Sequence, residues 1–322
     1  MAHRRHQISR VVCVATVIAL AWVIAGCGSS SGGGSESKGT VKIGDITGYM
    51  PSEIEANILT TVAHRYPELG VKSTSTITTD VPPGWIGLER GDSDVFVEAD
   101  MPNQQALAKQ AQATTKLLGP IYANAAEGWF VPKYVVDGSG APAAGLHSIT
   151  QLNNYKNVFG DTLYDDSPGW VSTADDTKRL AAYKLDYKHT ELSDTLLVAQ
   201  VEKAERAHKP ILFFFYHPHW LFTRYQLVQL SEPHPFTSKC FSSTADSKCA
   251  LPSFSAYIGV RKDLEQNAPR FYAFLKHFRI SESDMQQLMA KVSVKHQSAA
   301  QVAQQWIAEH QSTIKQWVAA TA

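Results

Sequence analysis

The chain has 322 residues, 30 Lys+Arg against 30 Asp+Glu, and 44% hydrophobic residues. That length accommodates two ordinary domains or one large split one, and 10% aromatic with only 19% charged residues excludes disorder except locally. The balanced charge excludes the clustered basic footprint of a nucleic-acid binder, so no nucleic-acid partner is expected.

Residues 1–26 read as a signal peptide. His3, Arg4, Arg5, His6 and Arg10 precede an uncharged apolar run from Val11 to Gly26. Its 16 residues are short of the ~20 that span a bilayer. The run ends in Ile24-Ala25-Gly26-Cys27, which resembles the lipobox of bacterial lipoproteins and implies lipidation of Cys27 after cleavage. An uncleaved anchor with an incidental cysteine is the alternative. Residues 27–39 are a Gly/Ser linker, Gly28 to Ser35 above all, of the kind that lets a tethered domain stand off a surface. Loss of Arg4, Arg5 and Arg10 leaves 27 basic against 30 acidic side chains, net −3. The expected place of the protein is extracytoplasmic, lipid-anchored to the cell membrane. Cys240 and Cys249 remain around the polar loop Phe241 to Lys248. In an exported compartment they are expected to form a disulfide. A zinc site is the rival, but the pair lacks the partners and spacing for one.

From Thr40 the chain alternates β-like and helix-like runs. Val41 to Ile46 alternates as a strand, and Ser52 to Tyr66 has helical spacing behind an expected Ser52 cap. Asp94 to Glu98 and Gly128 to Pro132 read as short strands. Ile211 to Phe215 is an unbroken apolar strand of the kind buried in a parallel sheet, and Ala256 to Val260 is another strand. Helices are expected over Pro269 to Phe278, Glu282 to Val292 and Ala299 to Val318. The alternation argues an α/β fold with parallel sheets. Such a body ordinarily holds a small ligand in a cleft.

Two aromatic-centred motifs stand out. In Asp165-Asp166-Ser167-Pro168-Gly169-Trp170-Val171-Ser172, the Pro-Gly turn presents Trp170. Thr173 and Asp176 resemble a capping box opening a helix through Asp186. The amides of Val171 and Ser172 would then face outward at a positive helix end, a seat for a carboxylate or phosphate. In Lys209-Pro210-Ile211-Leu212-Phe213-Phe214-Phe215-Tyr216-His217-Pro218-His219-Trp220, a buried strand ends in a polar aromatic cluster, where ligand clefts of open α/β sheets form. Tyr216 and His219 lie past the strand. His217-Pro218-His219 has no acidic residue nearby until Glu232, so neither a metal nor any other cofactor is expected.

Together these motifs resemble the substrate-binding proteins of glycine betaine/choline/proline-betaine ABC importers. Gly84 to Val95, Ala126 to Tyr134 and Val302 to Trp306 resemble the same family, and the likeness runs in order from Val41 to the C-terminus. It implies a two-lobed periplasmic-binding-protein-like α/β fold with the second lobe inserted into the first. On that basis residues 40–136 form the first part of lobe 1, 137–254 form lobe 2, and 255–322 complete lobe 1, with crossings near Val136 and Phe254. It further implies a quaternary amine held in an aromatic cage and delivered to an ABC permease in the membrane. Such a cation has no N–H to donate, so π faces attract it. By the likeness, Trp170 and Tyr216 take cage positions that contact the cation from opposite sides of the cleft, each on the second lobe's ligand-facing edge, and Val171 and Ser172 bind a carboxylate. His219 is a polar neighbour, and Tyr49 and Trp85 are further cage candidates. The sequence departs from the family at Asp100, two before Pro102, where some members have a cage tryptophan. A carboxylate there would favour a net cation over a betaine. The alternative is that Asp100 caps a helix starting near Pro102. Rival functions are a binding protein for an amine that is not quaternary, or a lipid-anchored hydrolase. The sequence has no H-E-x-x-H helix, and none of its histidines sits beside an obvious nucleophile, to carry the latter.

Overall fold

The computed structural model describes residues 39–321. The signal peptide, Cys27 and all of the linker but Gly39 lie outside the described residues.

Ten strands form two five-stranded sheets. They are β1 Thr40–Ile46, β2 Ser73–Thr79, β3 Val95–Met101, β4 Thr115–Ala125, β5 Glu127–Pro132, β6 Thr162–Asp165, β7 Lys188–Glu191, β8 Phe213–Tyr216, β9 Leu227–Gln229 and β10 Phe254–Arg261. The orders are β2-β1-β3-β10-β4 and β7-β6-β8-β5-β9. Each sheet has a parallel trio and a fourth strand that runs antiparallel to its neighbours. In both sheets that fourth strand, β5 or β10, has just arrived from the other lobe. The fold is therefore two-lobed α/β with one lobe inserted into the other, but the sheets are mixed rather than parallel. Burial on both faces misled the reading of Phe213–Tyr216, because a central strand is buried whichever way its neighbours run.

The chain leaves the first sheet after Ala125, one strand earlier than the crossing expected near Val136, because β5 belongs to the second sheet. It returns at Phe254. Five strands, β2, β4, β6, β7 and β9, went unread, and the two longest of them, β2 and β4, carry no apolar alternation. β2 is a half-exposed edge of Ser and Thr, and β4 is an edge strand interrupted by Pro120, a residue tolerated only where no ladder partner needs its N–H.

The first long helix is Met50–Arg65, with Pro51 in its first turn. Ser52 lies inside it and does not cap it. Its hydroxyl donates to the Tyr49 carbonyl (2.8 Å) and accepts the Ile46 N–H (2.9 Å), tying the end of β1 to the helix start. Four-residue and longer helices complete lobe 1, including Pro269–His277, Glu282–Lys295, Ala299–Glu309 and Gln311–Ala319. The last two replace one expected helix, which breaks at His310.

In lobe 2 the helix Val171–Ala182 starts behind Trp170 and stops short of Asp186. The expected Thr173/Asp176 box does not form, because both side chains are engaged elsewhere. Thr173 donates to the Ser167 carbonyl (3.3 Å), and Asp176 accepts the Trp129 indole N–H (2.6 Å) and pairs with Arg179. Arg179 is 0% exposed, lies 4.3 Å over the Trp129 ring, and also pairs with Glu232. This network anchors the helix that carries Trp170 to strand β5 and to Glu232 just beyond β9. Cys240 and Cys249 are joined by a disulfide in the loop between β9 and β10. Replacing Arg179 by Met strands two buried acids without their cation. It should cost about 3–5 kcal/mol, read as a lower urea midpoint with an unchanged slope.

Candidate ligand-binding site

A cavity of about 50 Å³ opens between the lobes, lined by Ile46, Tyr49, Val81, Asp100, Asn103, Gln104, Leu107, Glu127, Gly169, Trp170, Val171, Ser172, Tyr216 and Phe254. Three rings meet there. The centroids of Tyr49 and Trp170 are 5.5 Å apart, those of Tyr49 and Tyr216 5.6 Å, and those of Trp170 and Tyr216 5.9 Å. Trp170 and Tyr216 are thus neighbours on lobe 2, and the ring that faces them from lobe 1 is Tyr49. The triangle is too tight for a methylated ammonium to enter its middle, and Asp100 and Asn103 line the same cavity.

Each ring is held by polar bonds behind it. The Tyr216 hydroxyl donates to Asp194 Oδ1 (2.7 Å), Ser52 grips the Tyr49 carbonyl (2.8 Å), and Trp170 closes a turn through its N–H to the Ser167 carbonyl (3.2 Å). Gly169, at φ +93°, makes that turn in a conformation few other residues adopt. The first intrahelical bond after it is Ala174 N–H to the Trp170 carbonyl. The N–H groups of Val171, Ser172 and Thr173 precede that bond and stand at the positive end of the helix dipole.

Two of the expected site residues are not on the cavity. Trp85 is 2% exposed and packs on Phe96. Its indole donates to Gln104 Oε1 (2.7 Å), so it supports a lining residue from behind. Gly84 beside it admits the Phe96 ring so closely that a Cβ would lie 2.4 Å from it, which seats this turn of the helix in the core, while the first residue of the helix, Val81, lines the cavity. His219 is 1% exposed, accepts the Leu221 N–H on Nδ1 (3.2 Å), and lies 4.5 Å edge-on from Phe215 and 5.7 Å from the Tyr216 ring. Burial pushes its pKa down to about 3, so it is a neutral packing group behind Tyr216.

Asp100 does line the cavity and caps no helix. The next helix is Gln105–Ala111, with Gln104 at its start. Its charge, however, differs from the fixed carboxylate expected. Burial first, and then Glu98 beside it, push the Asp100 pKa well up. Glu127 behaves alike across the cleft. Burial raises it to about 8 although Asn103 donates to its Oε1 (3.1 Å). Burial thus favours the protonated form of both acids. Asn103 and Glu127 were not read as site residues. Glu127 lies in the family-like stretch Ala126 to Tyr134, one residue ahead of the strand expected from Gly128, and nothing local marks such a position as a cleft wall. A second cavity of about 250 Å³ adjoins the first, sharing Asn103, Glu127, Val171 and Ser172 and walled by Phe236, Phe241 and Leu251 of the disulfide loop.

Glu127 sets a pH dependence. Its folded value lies above the ordinary 4.5, so folded protein holds a proton that the unfolded chain releases between pH 4.5 and about 8. The stability it contributes is present at low pH and lost as pH rises through about 8. The melting temperature of the free protein should fall between about pH 6 and pH 9, and Glu127→Gln should flatten part of that fall.

The family described as the substrate binding domain of ABC-type glycine betaine transport systems matches residues 39–309. The glycine betaine/carnitine transport binding protein GbuC of Listeria monocytogenes is 25% identical over 138 residues, 42% of this chain. The match spans only 41% of that relative's length. Among solved structures, lactococcal OpuAC, closed around glycine betaine, superposes with a TM-score of 0.72 at 24% identity, covering 87% of this chain and 99% of that one. An ABC-transporter choline binding protein in complex with choline gives 0.71 at 19%, over 88% and 97%. The glycine betaine/L-proline-binding protein ProX of Borrelia burgdorferi gives 0.71 at 19%, over 88% and 100%. At these identities the solved structures speak for the fold alone. With the match over residues 39–309, the chain belongs to the family of substrate-binding domains of ABC-type glycine betaine transport systems, which bind a solute for import and are not enzymes.

Proposed function

We propose that this protein captures a quaternary-ammonium solute of the glycine betaine or choline class outside the cytoplasm and delivers it to an ABC permease while tethered by lipid on Cys27. The observation that carries the proposal is the meeting of Tyr49, Trp170 and Tyr216 at one inter-lobe cavity, with the N–H groups of Val171 and Ser172 on the same wall. Aromatic faces attract a cation that cannot donate a hydrogen bond, by ~2 kcal/mol or more where water is excluded. A carboxylate at the far end of such a ligand would meet the helix N-terminus. Substrate-binding domains of importers work on the outer side of the membrane, which suits the leader and the lipobox-like Ile24-Ala25-Gly26-Cys27.

One observation favours a second ligand class. Asn103 Oδ1 is a buried acceptor without a donor. An amine that keeps an N–H could use it, and a quaternary one could not. A thermal-shift screen of quaternary amines beside their less methylated counterparts decides between the two. A ligand at 100 times its Kd stabilises the fold by about 2.7 kcal/mol.

Trp170→Ala should weaken quaternary-amine binding more than tenfold, ~1.4 kcal/mol, by intrinsic tryptophan fluorescence or calorimetry. Tyr216→Phe, which keeps the ring and frees Asp194, should lose less than Tyr216→Ala. Wild-type affinity in Trp170→Ala would remove the cage assignment. In a bacterial host, Cys27→Ser should leave the protein off the membrane fraction, since a lipid chain is the proposed anchor.

A further inference from the structure

Three carboxyl groups meet at the cavity wall, one on it and two behind it. Glu55 comes from the helix Met50–Arg65, and Glu98 and Asp100 come from β3. Glu55 and Glu98 are 0% exposed, and Asp100 lies on the cavity itself. Both Glu55 oxygens and Asp100 Oδ1 are buried without a hydrogen-bond donor among the described residues. β3 is irregular here. Its pairing with β10 slips between Tyr257 and Gly259, and Glu98 stands at φ +58°. Such a bulge re-aims a side chain, and a non-glycine residue in the left-handed region is commonly found at functional sites.

The surroundings of this cluster are acidic or neutral on every side. Glu98 packs against both Glu55 and Asp100. The Tyr122 hydroxyl, from β4, donates to both Glu98 oxygens at 2.9 Å. Tyr49 stands before the helix, and Glu127 faces Asp100 from β5. Glu127 in turn is acted on by Asn103, Asp175, Asp176 and Arg179. Among the described residues no Lys, Arg or His side chain pairs with Glu55, Glu98 or Asp100. Two carboxyl groups in contact form a hydrogen bond only when one holds a proton. An ionised carboxyl buried without a partner is costly. The pKa values of Glu55 and Asp100 are accordingly pushed well up, by burial first and then by Glu98.

We propose that the cleft takes a net monocation in exchange for a proton: Asp100, backed by Glu98 and Glu55, is a neutral acid in the empty cleft and the carboxylate counter-ion of the bound cation. This rests on the function proposed above and narrows its ligand class. The proton leaves Asp100 for solvent as the cation enters, so charge in the cleft balances at each end of the step. A cation nearby favours the ionised form, which lowers the proton affinity of Asp100 on binding. Affinity for the cation then rises with pH and levels off once Asp100 is already ionised in the empty protein. A betaine brings its own carboxylate and gains less.

The test is calorimetric titration of the protein with choline chloride and with glycine betaine, in phosphate and in Tris at the same pH, repeated from about pH 6 to pH 8. For choline, the binding enthalpy should differ between the two buffers by the amount that proton release requires. Its Kd should fall by up to tenfold per pH unit, and glycine betaine should respond less. Asp100→Asn should abolish both the buffer difference and the pH dependence. Glu127→Gln should keep the proton release, whatever it does to affinity. Equal choline enthalpies in both buffers would overturn the exchange and leave the proposed function standing. Release that survives Asp100→Asn and vanishes in Glu127→Gln would overturn the assignment to Asp100. If neither amine binds, the function proposed above falls and the exchange falls with it.

Discussion

A chain that passes twice between two sheets must bring both crossing strands, and the strands paired with them, to one line of contact. That constraint places the site. Glu127 opens β5 and Phe254 opens β10, and both line the cavity. The register carries the position outward, since Glu127 pairs with Tyr216 at the end of β8, and Ala256 pairs with Asp100 near the end of β3. Tyr216 of lobe 2 and Asp100 of lobe 1 are each paired with a strand that has just crossed. Any hinge motion at the crossings would move Glu127 and Phe254 directly and displace both walls of the cleft together.

The two walls differ in chemistry. Lobe 2 contributes Trp170, Tyr216 and the positive end of a helix; lobe 1 contributes Tyr49, the carboxyl cluster and the amides of Asn103 and Gln104. Precision on the aromatic side comes from polar bonds one residue deeper, such as Tyr216 to Asp194 and Trp129 to Asp176. Trp85 and His219 belong to that supporting layer. A ring fixed in this way loses little freedom when a ligand arrives, so more of the contact energy remains for binding.

How much of this was legible in the sequence depended on whether a residue's role is local. Trp170 after Pro-Gly and Tyr216 at the end of an apolar strand, as its last residue rather than past it, announce themselves, because a turn and a strand end are short-range features. The family likeness gave two lobes, but the first crossing was placed too late, since Gly128 to Pro132 reads as a strand without saying which sheet it joins. His219 and Trp85 carried polar or aromatic signals that fit core and cleft equally, and burial decided for core. Glu55 was invisible. On an amphipathic helix a glutamate is read as a solvent-facing residue, and only the tertiary fold turns this one inward against Glu98.

Asp100 marks the boundary between what a sequence states and what it conceals. Its identity, and its departure from an aromatic position, could be read directly. Its charge could not, because charge is a property of the surroundings. One carboxylate in a watery cleft would be anionic at pH 7, whereas burial beside other carboxyls favours the protonated form. The difference changes what closure of the lobes costs. With Asp100 neutral, the empty cleft can close without trapping an uncompensated charge. With a cation present, ionising Asp100 creates its counter-ion only when there is something to neutralise. An acid in place of an aromatic wall therefore does not have to weaken the closed empty form, and it makes selectivity for a cation depend on the two acids behind it as much as on the residue that touches the ligand.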